Sequence, residues 1–189
     1  MARWEPAARE RMVVAAVDLF TEQGYDATTV AEIAERAGVT KSTFFRHFPD
    51  KRELLVAGQA ALSELLTEGI AAAPAGATPL EAVGAGLQRA ATMMTSFNRE
   101  LYPKIQAAVA ANSELQARDA LKSVGLAAAM TDALVARGIA EPTAHLAAEL
   151  GVLAFKRAWA DWTAAGEGEL GTYATAALDE LRAASAALG

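Results

Sequence analysis

The residues of this chain best equipped to act on a polyanion lie between Thr28 and Lys51, in the stretch TTVAEIAERAGVTKSTFFRHFPDK. Lys41, Ser42 and Arg46 bring an ammonium, a hydroxyl and a guanidinium close together, with Thr40, Thr43, Phe45 and His47 among them. Hydroxyl and guanidinium groups can donate to base edges in a DNA groove, and a lysine reaches either base or phosphate. Catalytic spacings are missing by comparison: there is no Ser/His/Asp arrangement and no nucleotide-binding glycine loop. The absence of cysteine excludes disulfides, thiolate metal sites and cysteine nucleophiles. The two histidines are His47 and His145. Glu141 and Glu149 stand four residues to either side of His145, a trio that pairing along one helix face explains more simply than a metal does. No metal and no other cofactor is expected.

Two short helices must hold the polar set in place. Thr29 and Glu32 have capping-box spacing, so a helix should open at Thr29, with Ile33, Ala34 and Ala37 as its apolar face. Gly38 should end it, because glycine takes a left-handed backbone without steric cost. Val39 then packs inward, and Thr40 caps a second helix starting at Lys41. Phe44 and Phe48, four apart, share a stripe of that helix, so Ser42 and Arg46 point away from it with Thr43 and Phe45 on the flanks. An inward apolar stripe and an outward polar set are what a major-groove recognition helix requires. A preceding helix over 7–23 carries Val13, Val14, Val17, Leu19 and Phe20, and Gly24 stops it. Arg3, Arg9 and Arg11, at or before its start, form either a solvated face or an arm that touches phosphate or minor groove.

The run GVTKSTFFRHFPDK resembles the signature of the TetR/AcrR transcriptional regulators, and the resemblance extends through VVAAVDLFTEQGYDATTVAEIAERA over about residues 9–58. It implies that Thr29, Thr43, His47 and Lys51 touch phosphates or bases. Family members more often have tyrosine at the position of Phe45, with its hydroxyl on a phosphate. Phenylalanine leaves only apolar contact there, with a thymine methyl or a sugar. The resemblance also implies an all-α fold of about nine helices. Residues 1–52 would be a three-helix DNA-binding domain containing the helix–turn–helix, and 53–189 a ligand-binding and dimerisation domain.

Composition agrees with an all-α chain. Of 189 residues, 53% are apolar and many are alanine, and no alternating β-branched run has the length of a strand. Neither a secretory leader nor an apolar run long enough to span a membrane is visible, so a cytoplasmic protein is expected. The net charge of −6 is unevenly placed. Residues 1–52 hold eight basic and eight acidic side chains, so the remainder carries the whole deficit. Arg36 to Arg52 has five basic residues against Asp50, a local excess that suits phosphate contact.

Downstream, a helix from Asp50 to about Ala73 should run out of the first domain and act as a lever, followed by a linker over 74–79. The spacing predicts helices over 80–97, 113–137, 141–165 and 170–188, with Pro103 interrupting or starting one. Leu115, Val124, Met130 and Leu134 are the expected buried positions of the second of these. Met93, Met94, Phe97 and Tyr102 either fill core or wall an apolar ligand cavity. Phe155, Trp159 and Trp162 make an aromatic stripe that suits a helix–helix interface or a ligand wall, with Lys156 or Arg157 available to an acidic group. By resemblance, the last two helices form a homodimer's four-helix bundle, with Ala174, Ala177 and Ala184 allowing close approach and Leu178, Leu181 and Leu188 supplying bulk.

The expected function is therefore a homodimeric regulator, more specifically a repressor, on a palindromic double-stranded operator. A hydrophobic or aromatic small molecule would release it by displacing the lever helix. The alternatives are an all-α ligand-binding enzyme or a protein-interaction module in which the helix–turn–helix serves only packing.

Overall fold

The computed structural model describes residues 5–56 and 58–187, and their regular structure is all helical. Ten helical segments occur among them: α1 (Glu5–Gln23), α2 (Val30–Arg36), α3 (Lys41–His47), α4 (Glu53–Val56), α5 (Gln59–Ala72), α6 (Pro79–Ala91), α7 (Ser96–Ala110), α8 (Ser113–Ala136), α9 (Glu141–Ala165) and α10 (Leu170–Ala186). No helix among the described residues is long and apolar enough to cross a membrane. Arg3 and Leu188, given roles above, lie outside the described residues.

The chain divides into two compact units, the first comprising residues 1–57 and 101–120 and the second 58–100 and 121–189. This differs from a single cut after residue 52. The head needs more apolar surface than its first three helices supply. Met12, Leu19, Phe20, Ile33, Phe44, Phe48 and Leu54 make its core, and Ala108 of α7 and Leu115 of α8 complete it. Polar ties reinforce these later segments: Lys104 pairs with Asp18 at 2.8 Å and Arg118 with Glu53 at 3.4 Å.

Within the second unit, α5 and α6 touch backbone to backbone at Gly69 and Gly86, and α9 and α10 are joined by the Arg157–Glu180 ion pair at 2.6 Å. Thr78 and Glu81 form a capping box with Pro79 in the first turn of α6, so the helix opens one residue earlier than expected. Arg137 closes the C-terminal end of α5, donating to the carbonyls of Ile70, Ala71, Ala73 and Pro74 at 2.6–3.1 Å. Ile70 O also accepts from the Ala73 N–H at 3.2 Å and Pro74 O from the Ala77 N–H at 3.0 Å, so the guanidinium adds donors to the carbonyls at and just past the end of the helix, where the regular ladder runs out.

Four local expectations change. The helix expected over 80–97 ends at Ala91, and Phe97 belongs instead to α7, which opens at Ser96 where the Asn98 side chain accepts from the Thr95 N–H at 2.9 Å. The lever helix is not continuous: α4 stops at Val56 and α5 begins at Gln59, with Gly58 at φ 98° as its N-cap. Pro103 lies inside α7 and does not break it, because Leu101 and Ala108 bury on either side and hold the helix across the lost hydrogen bond. Val124 is 63% exposed, since the buried face of α8 passes through Leu126, Ala127, Met130 and Leu134 instead.

Candidate nucleic-acid interface

The local chemistry of the first unit forms as the residues dictate. Thr29 caps α2: its hydroxyl accepts from the Glu32 N–H at 3.3 Å, and its own N–H donates to the Glu32 carboxylate at 2.7 Å. Hydrogen bonds from the Thr29 side chain and then its backbone hold the Glu32 carboxyl below the usual carboxylate range. Gly38 at φ 67° makes the turn, and the Val39 N–H donates to Ala34 O at 2.9 Å. Thr40 then caps α3 by accepting from the Thr43 N–H at 3.1 Å, and the two hydroxyls lie 3.0 Å apart.

Phe44 and Phe48 are fully buried, with ring centroids 5.6 Å apart. Lys41, Ser42 and Arg46 are exposed on the other side, and Phe45 is 54% exposed with its ring edge-on to Phe44. Thr43 and His47 are half-buried on the flank. The His47 Nε2 is buried without a hydrogen-bond partner among the described residues, as is the Tyr25 hydroxyl.

Ion pairing sorts the basic residues that sequence could only count. Arg36 is held by Glu22 at 2.6 Å, and Arg52 lies against Asp50 and, at 3.8 Å, Glu114. Bonding to Arg52 holds the Asp50 carboxyl below its ordinary range. Five cations of this unit have no carboxylate partner among the described residues: Arg9, Arg11, Lys41, Arg46 and Lys51, the last held by backbone carbonyls. Arg9, exposed on α1, carries its guanidinium 5.5 Å from the Phe48 ring centroid, which places it beside the end of α3. Arg9 is the residue that sequence reasoning undervalued, because its neighbour Phe48 lies far along the chain.

Lys51 does not stand free as a phosphate contact should. Its ammonium donates to Tyr25 O at 2.7 Å and Thr28 O at 2.9 Å, and sits 4.2 Å from the Tyr25 ring centroid. Burial first, and the Glu114 carboxylate second, push the Tyr25 hydroxyl up to about 12, so this ring stays neutral under the cation. The geometry makes Lys51 a strap across the α1–α2 corner. Lys51→Ala should lower stability by about 1–3 kcal/mol, since bonds from a charged donor are lost. It should also leave the salt dependence of DNA binding unchanged. A slope reduced by about one would instead return Lys51 to the phosphate backbone.

The expected ligand residues fall in different places. Tyr102 belongs to the first unit, whereas Met93, Met94, Phe97, Phe155, Trp159 and Trp162 belong to the second. Met93 is 60% exposed in the turn after α6, and Met94 and Phe97 are half-buried. Phe155, Trp159 and Trp162 are buried and form an edge-to-face ladder, with centroids 6.2 Å and 5.3 Å apart. Among the described residues no His, Cys, Asp or Glu cluster could hold a metal ion.

Comparison with known proteins bears on both units. Residues 13–57 match the model of the bacterial regulatory proteins of the tetR family. The chain is 40% identical over 75 residues to the HTH-type transcriptional regulator TcmR of Streptomyces glaucescens, covering 40% of this chain and 33% of that protein. It is 39% identical over 82 residues to the regulator BetI of Rhizobium meliloti, covering 43% and 40% respectively. The matched stretch thus spans well under half the length of either relative. The whole fold is similar to that of the regulator FadR from Bacillus subtilis, solved with stearoyl-CoA: TM-score 0.58, 18% identity, 89% of this chain and 95% of that one. It is also similar to Salmonella enterica GusR, with TM-score 0.56, 20% identity and coverage of 92% and 93%.

Proposed function

We propose, from the match of residues 13–57 to the tetR-family model and the likeness of the N-terminal stretch to TcmR, that the chain is a TetR/AcrR-type ligand-released repressor, working in the cytoplasm as a homodimer on a palindromic operator. One observation carries this reading. Among the described residues of the first unit, and apart from Lys51, which backbone carbonyls hold, the cations left without carboxylate partners are Lys41 and Arg46 on the exposed side of α3 and Arg9 and Arg11 near the start of α1. Acidic side chains pair with Arg36, Arg52 and Arg118, which concentrates the field attractive to phosphate on the face that also presents Ser42 and Phe45.

On this reading Ser42 and Arg46 read base edges, and Lys41 reaches base or phosphate. Phe45 packs on a thymine methyl or sugar, and Arg9, Thr43 and His47 meet the backbone. Thr29 and Thr40 act through their caps, which set the starts of α2 and α3. The two reading heads of a dimer would enter successive major grooves about 34–36 Å apart. Pairing through α9 and α10 is supported by Leu146 and Leu153, which stand 61% and 51% exposed seven residues apart on α9. Such a stripe of large apolar side chains is what a four-helix bundle buries. The effector is a hydrophobic or aromatic molecule whose binding favours the DNA-incompetent state. A coupling of about 1–3 kcal/mol weakens operator binding about 5- to 150-fold. No chemical step is assigned to the chain: it regulates rather than catalyses.

The test is retention of the DNA upstream of the protein's own gene, measured with operator variants. Arg46→Ala should reduce discrimination at a single base pair by about 5- to 150-fold, the worth of one bidentate contact. An equal loss on every variant would make Arg46 a backbone contact. Absence of sequence-specific retention by the wild type would remove the regulator reading altogether.

A further inference from the structure

Five arginines lie in the second unit, and four of them are engaged. Arg89 pairs with Glu68 at 3.2 Å, Arg182 with Asp179 at 3.0 Å and Arg157 with Glu180 at 2.6 Å, while Arg137 closes the end of α5. Arg99 is the exception: its guanidinium has no hydrogen-bond or ion-pair partner among the described residues. It is nonetheless half-buried, and it lies 5.4 Å from the centroid of the Trp162 ring. Its backbone is well placed. The Asn98 side chain accepts from the Thr95 N–H at 2.9 Å at the start of α7, and the Arg99 N–H donates to Thr95 O at 3.1 Å.

The tryptophan beneath it is equally constrained. Its indole N–H donates to Gly168 O at 2.9 Å, so its polar atom is satisfied and only its face is presented to the cation. Behind it stand Trp159 and Phe155, each edge-on to the next along α9. A guanidinium stacked on an aromatic face keeps its in-plane N–H donors free, and those donors match a carboxylate fork to fork. An unpaired, half-buried guanidinium at the end of a buried ladder of rings therefore offers a carboxylate a fork-to-fork partner in apolar surroundings.

We infer that Arg99, stacked on Trp162, is the anion-recognising residue for the effector, and that the effector is a carboxylate on an apolar or aromatic body. This rests on the ligand-released reading above and moves the charge contact away from Lys156 and Arg157. Arg157 already binds Glu180, and Lys156 has a partner of its own.

The experiment is calorimetric titration of the full chain with 1-naphthoate and decanoate, alongside the corresponding neutral alcohols, followed by operator retention with the same compounds. Arg99→Met keeps the apolar stem and removes the charge, and Arg99→Lys keeps the charge and removes the fork. At least one acid should bind about 10- to 100-fold more tightly than its alcohol. Arg99→Met should abolish that preference without weakening the alcohol, and Arg99→Lys should restore part of it. The alcohol's unchanged affinity for Arg99→Met serves as the control for folding. Equal acid affinity in wild type and Arg99→Met, or no saturable binding of either acid, overturns the assignment. The regulatory reading fails separately. Acid binding through Arg99 that leaves operator retention untouched refutes ligand release alone. Release by acid from wild type and Arg99→Met alike refutes the role of Arg99 alone.

Discussion

Phe44→Ala will open the head proposed to read DNA: amides of α2 and α3 should exchange about a hundredfold or more faster, and operator retention should be lost with them. The ring is fully buried and packs against Phe48 and Phe45 in a core that also holds Met12 and Ile33. Removing a buried phenylalanine ring costs about 3–5 kcal/mol, from lost transfer energy and from the cavity left behind. A domain of this kind has about 5–15 kcal/mol in all, so the loss is a large fraction of its stability. Local exchange is the right readout because the chain has two compact units, and one melting curve would mix them. Phe45→Ala is the internal comparison. Its ring is mostly exposed, so stability should move by no more than about 0.5 kcal/mol while DNA affinity falls. If the two variants exchanged at the same rate, α3 would not be anchored as described.

Gly69→Ala should destabilise the second unit by about 1–3 kcal/mol, although alanine is the better helix former. A Cβ built at Gly69 would lie 2.6 Å from Ala85 O, 2.7 Å from Gly86 Cα and 2.8 Å from Arg89 Cβ. The nearest of these atoms are backbone of the neighbouring helix, so no rotamer change relieves the clash and α5 and α6 must separate. The relation is mutual, since a Cβ at Gly86 would meet Leu66 O at 2.7 Å. Gly84→Ala separates contact from propensity. Its Cβ would find only Leu178 Cδ2, at 3.4 Å, so α6 should be unaffected or gain up to about 1 kcal/mol. Urea unfolding of the pair decides the matter: a Gly69→Ala midpoint at or above that of Gly84→Ala would rule out the close crossing.

Much of the first unit was legible residue by residue. Thr29 with Glu32, Gly38, and Thr40 with Thr43 formed the caps and turn that their spacing predicts, and Phe44 and Phe48 took the buried stripe opposite Ser42 and Arg46. Each of these interactions closes within about one helical turn, so the chain carries both partners side by side. The helices from α8 to α10 were legible for a related reason, because Gly138 and Pro142 punctuate long runs of helix formers. The discontinuity at Gly58 was not. A single glycine among helix formers costs only about 1 kcal/mol, too little to announce a break.

What escaped the linear reading shares one physical cause: the partner is far away in sequence. Lys51 looked like a free cation until its ammonium was found on the carbonyls of Tyr25 and Thr28, and Arg36 until Glu22 neutralised it. Residues 101–120 joined the head because Ala108 and Leu115 cover its core, and Val124 turned outward because other residues of α8 took the buried face. Arg99 is the clearest case, since nothing near it in the chain points to the ring of Trp162. Caps, turns and apolar stripes are decided between near neighbours, and the order of residues therefore determines them. Which charges stay unpaired is decided by long-range packing, and in this protein those unpaired charges mark the surfaces proposed for DNA and for the effector.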